Sequence, residues 1–127
     1  MRGIVLDVGA LIALERDDRA MWAVLKLAAL RRVEVIVPTT VIAQVWRGTR
    51  TQANLARGLA QCREASFDPL ARQVGELCGR TRTTDICDAH VALVAVGGAD
   101  LLYTSDPVDQ RRLIAACDAG KPLIIRC

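Results

Sequence analysis

Short aliphatic runs alternate with longer segments of helical period along the chain, and this alternation strongly limits its possible folds. Strands buried on both faces are predicted at residues 3–6, 33–37, 101–103 and 122–125, with a weaker strand near 65–67. Helices are predicted at residues 19–31, 40–47, 70–77 and 86–96. Strands that alternate with helices favour right-handed βαβ crossovers. The sequence therefore predicts an α/β fold, with a central parallel β-sheet flanked by helices on both faces.

Composition predicts one compact unit. The 127 residues match the usual size of a single domain, and residues 1–127 contain no linker, repeat or low-complexity stretch. Hydrophobic residues make up 52% of the chain but aromatic residues only 3%, so the core is predicted to be aliphatic. This composition argues against a disordered chain.

The charge of the chain permits nucleic acid as a partner without requiring it. The formal net charge is +3, and arginine far outnumbers lysine. The planar guanidinium group suits phosphate recognition better than the point charge of lysine does. Because the net charge is small, a solvated arginine-rich surface is an equal alternative.

Cysteine usage and hydropathy predict a soluble, cytoplasmic protein with no membrane partner. The five cysteines form no CxxC pair, and we interpret them as small buried residues in a reducing compartment. No secretory signal is recognisable at the start of the chain. The longest apolar run, residues 91–96, is far shorter than the ~20 residues that span a bilayer.

Aspartates stand at three junctions where an apolar segment ends or a helix begins. Asp7 follows the first predicted strand, and Asp106 follows the strand at residues 101–103. Ligands of parallel α/β folds bind beyond the carboxyl ends of the strands, where both acids are predicted to lie. Burying Asp7 costs free energy unless it meets a cation or several hydrogen-bond donors. We therefore favour a functional role over a helix cap, since Gly9 separates Asp7 from a helix predicted to start near Ala10.

Helix capping is the alternative explanation for the other acids. Asp106 before Pro107 forms a good helix start, and Asp85 is placed to cap a helix with Asp88 one turn later. Capping explains each junction separately, but it gives no reason for acids to gather at one edge of the sheet. We expect one member of each pair, Asp85/Asp88 and Asp106/Asp109, to cap while the other points into the cleft.

Gathered carboxylates without neighbouring sulfur or imidazole ligands select hard ions such as Mg²⁺ or Mn²⁺. The single histidine, His90, is predicted to be a packed residue, because no nucleophile is placed to pair with it. Acids at a sheet edge and an arginine-rich chain together favour a metal-dependent nuclease.

Four segments that span nearly the whole chain carry a resemblance to a known family. They are residues 5–14 (VLDVGALIAL), 37–47 (VPTTVIAQVWR), 84–92 (TDICDAHVA) and 103–109 (YTSDPVD). In this order and spacing the chain resembles the PIN domain family, and within it the VapC-type toxins of bacterial toxin–antitoxin pairs. The resemblance implies an endoribonuclease that cleaves single-stranded or loop RNA, such as that of tRNA, by a metal-activated water. It also implies a cognate antitoxin that blocks the site.

The resemblance assigns roles to particular residues. Asp7, Asp88 and Asp106 correspond to catalytic ligands of Mg²⁺ or Mn²⁺. Accessory positions are Gln44, Asp85, Thr104, Ser105 and Asp109. Thr104 or Ser105 is expected to orient Asp7 or a water molecule through its hydroxyl group.

Two residues depart from the family pattern. Gly9 stands where the family often has serine or asparagine, and Gln44 stands where many members have a glutamate. An amide keeps the size of the side chain but loses its negative charge, so metal affinity should fall. The alternative function is therefore a catalytically weakened module that binds RNA and antitoxin.

Two further classes fit less well. A phosphoacceptor receiver domain shares the length, the parallel sheet and Lys121-Pro122, but it needs paired acids after the first strand. A phosphatase that uses Asp7 as nucleophile needs a second acid where Gly9 stands. Residues 10–14 and 19–31 are predicted to carry more apolar surface than one small core covers, which favours a homodimer or a bound antitoxin peptide. The alternative is that these helices simply pack on both sides of the sheet.

Overall fold

The computed structural model describes residues 2–118 and 120–127. The strands are β1 (Ile4–Leu6), β2 (Val35–Pro38), β3 (Arg63–Ala65), β4 (Leu101–Thr104) and β5 (Leu123–Arg126). The α-helices are α1 (Val8–Glu15), α2 (Arg19–Arg31), α3 (Thr39–Val45), α4 (Ala53–Leu59), α5 (Ala71–Thr81), α6 (Ile86–Gly98) and α7 (Pro107–Ala115). Short 3-10 turns at Arg50–Gln52 and Asp68–Leu70 precede α4 and α5.

All five strands form one parallel sheet in the order β3-β2-β1-β4-β5, so the predicted α/β fold is confirmed. Strand β1 pairs with β2 on one side and with β4 on the other. The chain moves outward from β1 to β3, returns through α5 and α6, and then moves outward again from β4 to β5. Right-handed crossovers place helices on both faces of such a sheet. The direction of winding reverses between β1 and β4, which opens a crevice beyond their carboxyl ends.

The core is aliphatic, as the composition predicts. Val5 and Leu6 of β1, Leu102 of β4 and Leu11 of α1 are fully buried. Helix α6 packs between α5 and α7 and also contacts β1 and β2. It can approach the sheet closely because its sequence is rich in alanine. The core therefore fixes β1, β4 and α6, the elements that carry the candidate site.

The apolar surplus predicted for two segments is larger in the second. In residues 10–14 it is limited to the half-buried Ile12 and Ala13, because Ala10, Leu11 and Leu14 of α1 are buried. Helix α2 does expose apolar surface, because Leu27 is 50% and Leu30 is 71% accessible to solvent.

Edge elements account for most differences from the sequence predictions. Strand β5 is not buried on both faces, because it closes the sheet and Leu123 is 64% exposed. The weak strand lies at Arg63–Ala65, slightly before its predicted position, and α4 was not predicted at all. Its seven residues bury only Leu55 and Gly58, which leaves too short an apolar stripe to detect.

The cysteines differ partly from prediction. All five are free thiols, but four are only half-buried and Cys127 is exposed. Among residues 2–118 and 120–127, no helix has the length and hydropathy needed to cross a membrane.

Candidate metal centre

Asp7 lies at the junction of β1 and α1 and is almost fully buried, with 2% of its surface exposed. Its N–H extends the sheet by donating to the Tyr103 carbonyl at 3.0 Å. Its carboxylate accepts two hydrogen bonds, from the Val8 N–H at 2.6 Å and from the Thr104 hydroxyl at 2.7 Å. Asp7 is therefore also the N-cap of α1, contrary to prediction, because the helix begins at Val8 and not near Ala10.

Burial raises the pKa of Asp7 above its ordinary value, and the two hydrogen bonds from Thr104 and Val8 only partly oppose that shift. The negative charges of Asp106 and Asp85 raise the same pKa further. No cationic side chain within the described part of the chain is among the groups that shift it. The ionised form of Asp7 thus has hydrogen-bond donors but no counter-ion, an arrangement that favours cation binding.

Asp85 and Asp88 stand at the start of α6. Asp85 is its N-cap and accepts the Asp88 N–H at 2.9 Å, so the predicted cap is confirmed. The Asp88 side chain is half-buried, and burial followed by the charges of Asp85 and Asp7 raises its pKa to about 7. Asp106 contributes to the same shift. Asp88, the member of the pair that does not cap α6, therefore lies near the other acids.

Asp106 occupies the N-cap position of α7, but its side chain makes no capping hydrogen bond, contrary to the cap expected from its sequence. Its backbone N–H donates instead to the Thr104 hydroxyl at 3.0 Å. Because that hydroxyl also donates to Asp7, Thr104 links the ends of β4 and β1 through one oxygen. The exposed carboxylate of Asp106 is left free to take another partner.

Asp109, the second acid of this pair, is exposed and lines a separate hollow of about 190 Å³ together with Asp106 and Arg126. It is not among the charges that shift the pKa of Asp7 or Asp88. Asp7, Asp85, Asp88 and Asp106 therefore lie near enough for their charges to raise the pKa of Asp7 or Asp88, and we call these four acids the acid pocket, with Asp109 outside it.

The donor set of the acid pocket fits a hard divalent ion, since carboxylate oxygens and a threonine hydroxyl are its main polar groups. Within residues 2–118 and 120–127, however, no three carboxylate, thiol or imidazole groups already stand close enough together to hold a metal ion. Mutual repulsion of four acids, and the use of Asp85 as a helix cap, both oppose a tighter cluster. Asp7, Asp88 and Asp106 are the residues that would hold Mg²⁺ or Mn²⁺.

Gln44 lies on the exposed surface of α3. In the described part of the chain, no hydrogen bond joins its side chain to the acids. Ser105 is exposed and lies against Gly9, where an added Cβ atom would come within 2.7 Å of both Cβ and Oγ of Ser105. The absence of a side chain at position 9 thus allows α1 and the end of β4 to approach closely.

His90 is fully buried, which confirms the prediction of a packed histidine. Its Nδ1 lies 2.7 Å from the Thr40 hydroxyl, and its ring packs edge-on against Phe67. Burial lowers the pKa of His90, and the Ser66 backbone only partly opposes that shift. Nε2 has no hydrogen-bond partner within the described residues. His90 therefore joins α6 to α3 as a structural contact.

Three residues near the acids were not found from the sequence. Gln110 of α7 is fully buried and donates to the Asp88 carbonyl at 3.1 Å, which ties α7 to the start of α6. Cys87 lies close enough to Asp7 and Asp88 for their charges to act on it, although burial is the main reason that its pKa is raised to about 12. The Thr40 hydroxyl partly opposes that shift. Of these three residues, only Gln110 could have been found from the sequence, because it is a polar residue on the inward face of α7.

No protein-family model matches the chain, and no curated protein sequence shows significant similarity to it. Functional inference for this protein therefore depends on the residues of the acid pocket and on their surroundings.

Proposed function

We propose that this protein is a metal-dependent endoribonuclease of the PIN domain type, acting as a VapC-like toxin. The observation that carries the proposal is Asp7, a buried carboxylate whose pKa is raised by burial and by the charges of Asp106 and Asp85. Among the described residues, no cationic side chain acts on that pKa. It lies at the crevice where the winding of the sheet reverses, a common ligand site in α/β folds. Four acids in that position are difficult to explain by helix capping, because only Asp7 and Asp85 cap.

Each acid has a distinct part in this proposal. Asp7, Asp88 and Asp106 are the catalytic metal ligands, and Thr104 orients Asp7 by its hydrogen bond of 2.7 Å. Asp85 holds the first turn of α6 and thereby fixes the backbone of Asp88. When bound, Mg²⁺ or Mn²⁺ supplies positive charge at the cleaved phosphate and makes a water molecule more acidic.

The proposed substrate is single-stranded or loop RNA, such as an exposed loop of tRNA. Asp106 and Ser105 are exposed at the edge of the sheet, so a flexible strand can reach the acid pocket. Unpaired RNA exposes its bases and backbone to such a surface, whereas the deep groove of an RNA duplex does not.

The test compares cleavage of a loop-containing RNA by the wild type, by Asp7→Asn and by Asp17→Asn, in Mg²⁺ and in EDTA. Wild-type cleavage should require the metal, and Asp7→Asn should reduce it by about 100-fold or more. Asp17 is an exposed acid outside the pocket in a left-handed backbone conformation that asparagine also adopts, so its variant controls for charge. Equal Mg²⁺-dependent activity in the Asp7→Asn variant would refute the proposal.

An antitoxin partner is proposed for the exposed surface of α2. A hollow of about 330 Å³ beside this helix is lined by Val24, Leu27, Leu101 and Tyr103, with Arg31 at its rim. The helix carries basic residues but no acid, so a two-fold contact between copies of α2 would oppose like charges. We therefore assign this surface to an acidic, apolar antitoxin segment and expect the proposed homodimer to form elsewhere. Size-exclusion chromatography of wild type and Leu27→Glu with the antitoxin tests this, since only the wild type should form the complex.

A catalytically weakened module is the second candidate, favoured by the exposed amide of Gln44. Calorimetric titration of Mn²⁺ separates the two functions. Binding by the wild type supports the nuclease, whereas binding by Gln44→Glu alone supports the weakened module.

A further inference from the structure

A further hollow, distinct from the acid pocket, opens beside α1 at the same end of the sheet. Its volume is about 520 Å³, within the range of ~300–1,000 Å³ typical of small-molecule sites. Ile12 and Ala13 form one wall, Arg16 stands on the rim, and Gly9 and Ser105 form the side nearest to the sheet. We call it the α1 hollow.

The α1 hollow directly adjoins the acid pocket. Gly9 is two residues after Asp7 and contacts Ser105, which lies between Thr104 and Asp106. Cys127 also lines the hollow, and although the residue is exposed overall, partial burial of its thiol and then the charge of Asp7 raise its pKa. Asp7 is therefore near enough to this hollow for its charge to act on a residue of the wall.

The chemistry of the walls fits a ligand that is flat and apolar on one side and anionic on another. Ile12 and Ala13 are half-buried and apolar, whereas the exposed Arg16 forms no ion pair within the described residues. The one acid on the rim, Asp18, accepts the Met21 N–H at 3.0 Å as the cap of α2. Asp18 keeps its negative charge, so the anionic group of a ligand is expected beside Arg16 and away from Asp18.

We propose that the α1 hollow binds one nucleotide of the RNA strand, next to the phosphodiester that enters the acid pocket. The base lies against Ile12 and Ala13, and the guanidinium group of Arg16 binds the adjacent phosphate. This inference depends on the proposed function for the place of cleavage, but nucleotide binding itself needs neither metal nor cleavage. Arg16 is thus a substrate-binding residue in this assignment.

The test measures binding of a fluorescent single-stranded RNA of about eight nucleotides by anisotropy, in EDTA so that no cleavage occurs. Arg16→Gln should weaken binding by about 10-fold. It should also lower the slope of log affinity against log salt concentration by about one, the value for one phosphate contact. Ala13→Leu, which fills the hollow without changing charge, should weaken binding by a similar factor but leave the salt dependence unchanged.

Arg32→Gln is the matched control, because it removes the same positive charge as Arg16→Gln. Arg32 is exposed at the end of α2, shortly before β2 begins and away from the α1 hollow. Its binding should stay within about two-fold of the wild type. Affinities of Arg16→Gln and Ala13→Leu equal to that of Arg32→Gln would overturn the proposal, as would absence of RNA binding by the wild type. If Ala13→Leu does not fold, the exposed Arg16→Gln variant still decides the question.

Failure of this proposal can be distinguished from failure of the proposed function. Loss of binding in both hollow variants, with no Mg²⁺-dependent cleavage by the wild type, would support the nucleotide site and refute the nuclease. Mg²⁺-dependent cleavage by the wild type, with unchanged RNA binding in both hollow variants, would support the nuclease and refute the nucleotide site.

Discussion

The starts of α6 and α7 share one sequence pattern, an aspartate followed three residues later by another, and yet their acids take opposite positions. At α6, Asp85 caps the helix and Asp88 lies in the acid pocket. At α7, Asp106 reaches the acid pocket without capping, and Asp109 stands at the margin. At both starts the aspartate donates its backbone N–H to the hydroxyl of the threonine two residues earlier, but only the Thr104 hydroxyl also donates to Asp7 at the end of β1.

This difference shows that a capping motif limits the position of an acid without deciding its role. Both motifs satisfy the same local rules for a helix start. The neighbouring strand distinguishes the two junctions, because Thr104 is the last residue of β4 and bonds Asp7, whereas no strand directly precedes α6. Substitutions at these two junctions therefore separate capping from metal binding.

The largest expected effect is on catalysis. Asp88→Asn and Asp106→Asn should each reduce Mg²⁺-dependent RNA cleavage by about 100-fold or more, because each removes a proposed metal ligand. Asp109→Asn should stay within a few-fold of the wild type, since Asp109 lies outside the acid pocket. Initial rates at saturating metal measure this contrast, and equal loss in all three variants would mean that the two pairs do not differ in role.

The next effect is on the contact that positions the end of β4. Gly9→Ala should destabilise the protein by about 1–3 kcal/mol, because its Cβ would lie 2.7 Å from the Ser105 side chain. The control Gly75→Ala, at an exposed site of α5 with no atom within 4 Å, should stabilise it by about 0.5–1 kcal/mol. Urea unfolding measures both, and partial recovery in Gly9→Ala/Ser105→Gly would confirm that the clash is responsible.

A smaller effect separates the two cap positions directly. Asp85→Ala should destabilise the protein by about 1 kcal/mol, because loss of its hydrogen bond to the Asp88 N–H outweighs the relief of repulsion between Asp85 and Asp88. Asp106→Ala should leave the free energy of unfolding in EDTA unchanged or slightly higher, because it removes repulsion and no capping bond. A loss of stability in Asp106→Ala equal to that in Asp85→Ala would contradict the structural difference between the junctions.

The smallest effect is a dependence of stability on pH. Folding raises the pKa of Asp88 from 3.8 to about 7, so the folded protein holds this proton more tightly than the unfolded chain. The resulting stabilisation is fully present below pH 3.8 and is lost as the pH rises to about 7. Without metal, Asp88→Asn should therefore melt at a higher temperature than the wild type near pH 8, and the difference should close toward pH 4. A difference in melting temperature that does not change with pH would exclude this titration.

Much of the fold could be predicted because its signals are local. Helix α2 begins and ends at the predicted residues 19 and 31, and the runs that became β1, β2 and β4 are aliphatic enough to stand out. Strand β5 was predicted to be buried, since its sequence resembles an inner strand, and only the order of strands places it at an edge. Helix α4 was missed because its buried stripe is too short to show a period.

The candidate site was predictable in its residues but not in their roles. Asp7, Asp88 and Asp106 could be singled out because acids at strand ends and helix starts are visible in the sequence. That Asp7 caps α1, and that the Asp106 side chain makes no capping bond, became visible only in the structure. The contribution of Gln110 also required the fold, since it contacts Asp88 across 22 positions of sequence.

The sequence alone determined that the chain alternates strands with helices and that acids follow the inner strands, because backbone periodicity and junction chemistry are properties of neighbouring residues. Only the tertiary structure decided which acids meet, since β1 and β4 become neighbours through pairing across nearly a hundred residues. It also decided which of those carboxylates is left without a partner, because buried charge depends on every element that packs around it.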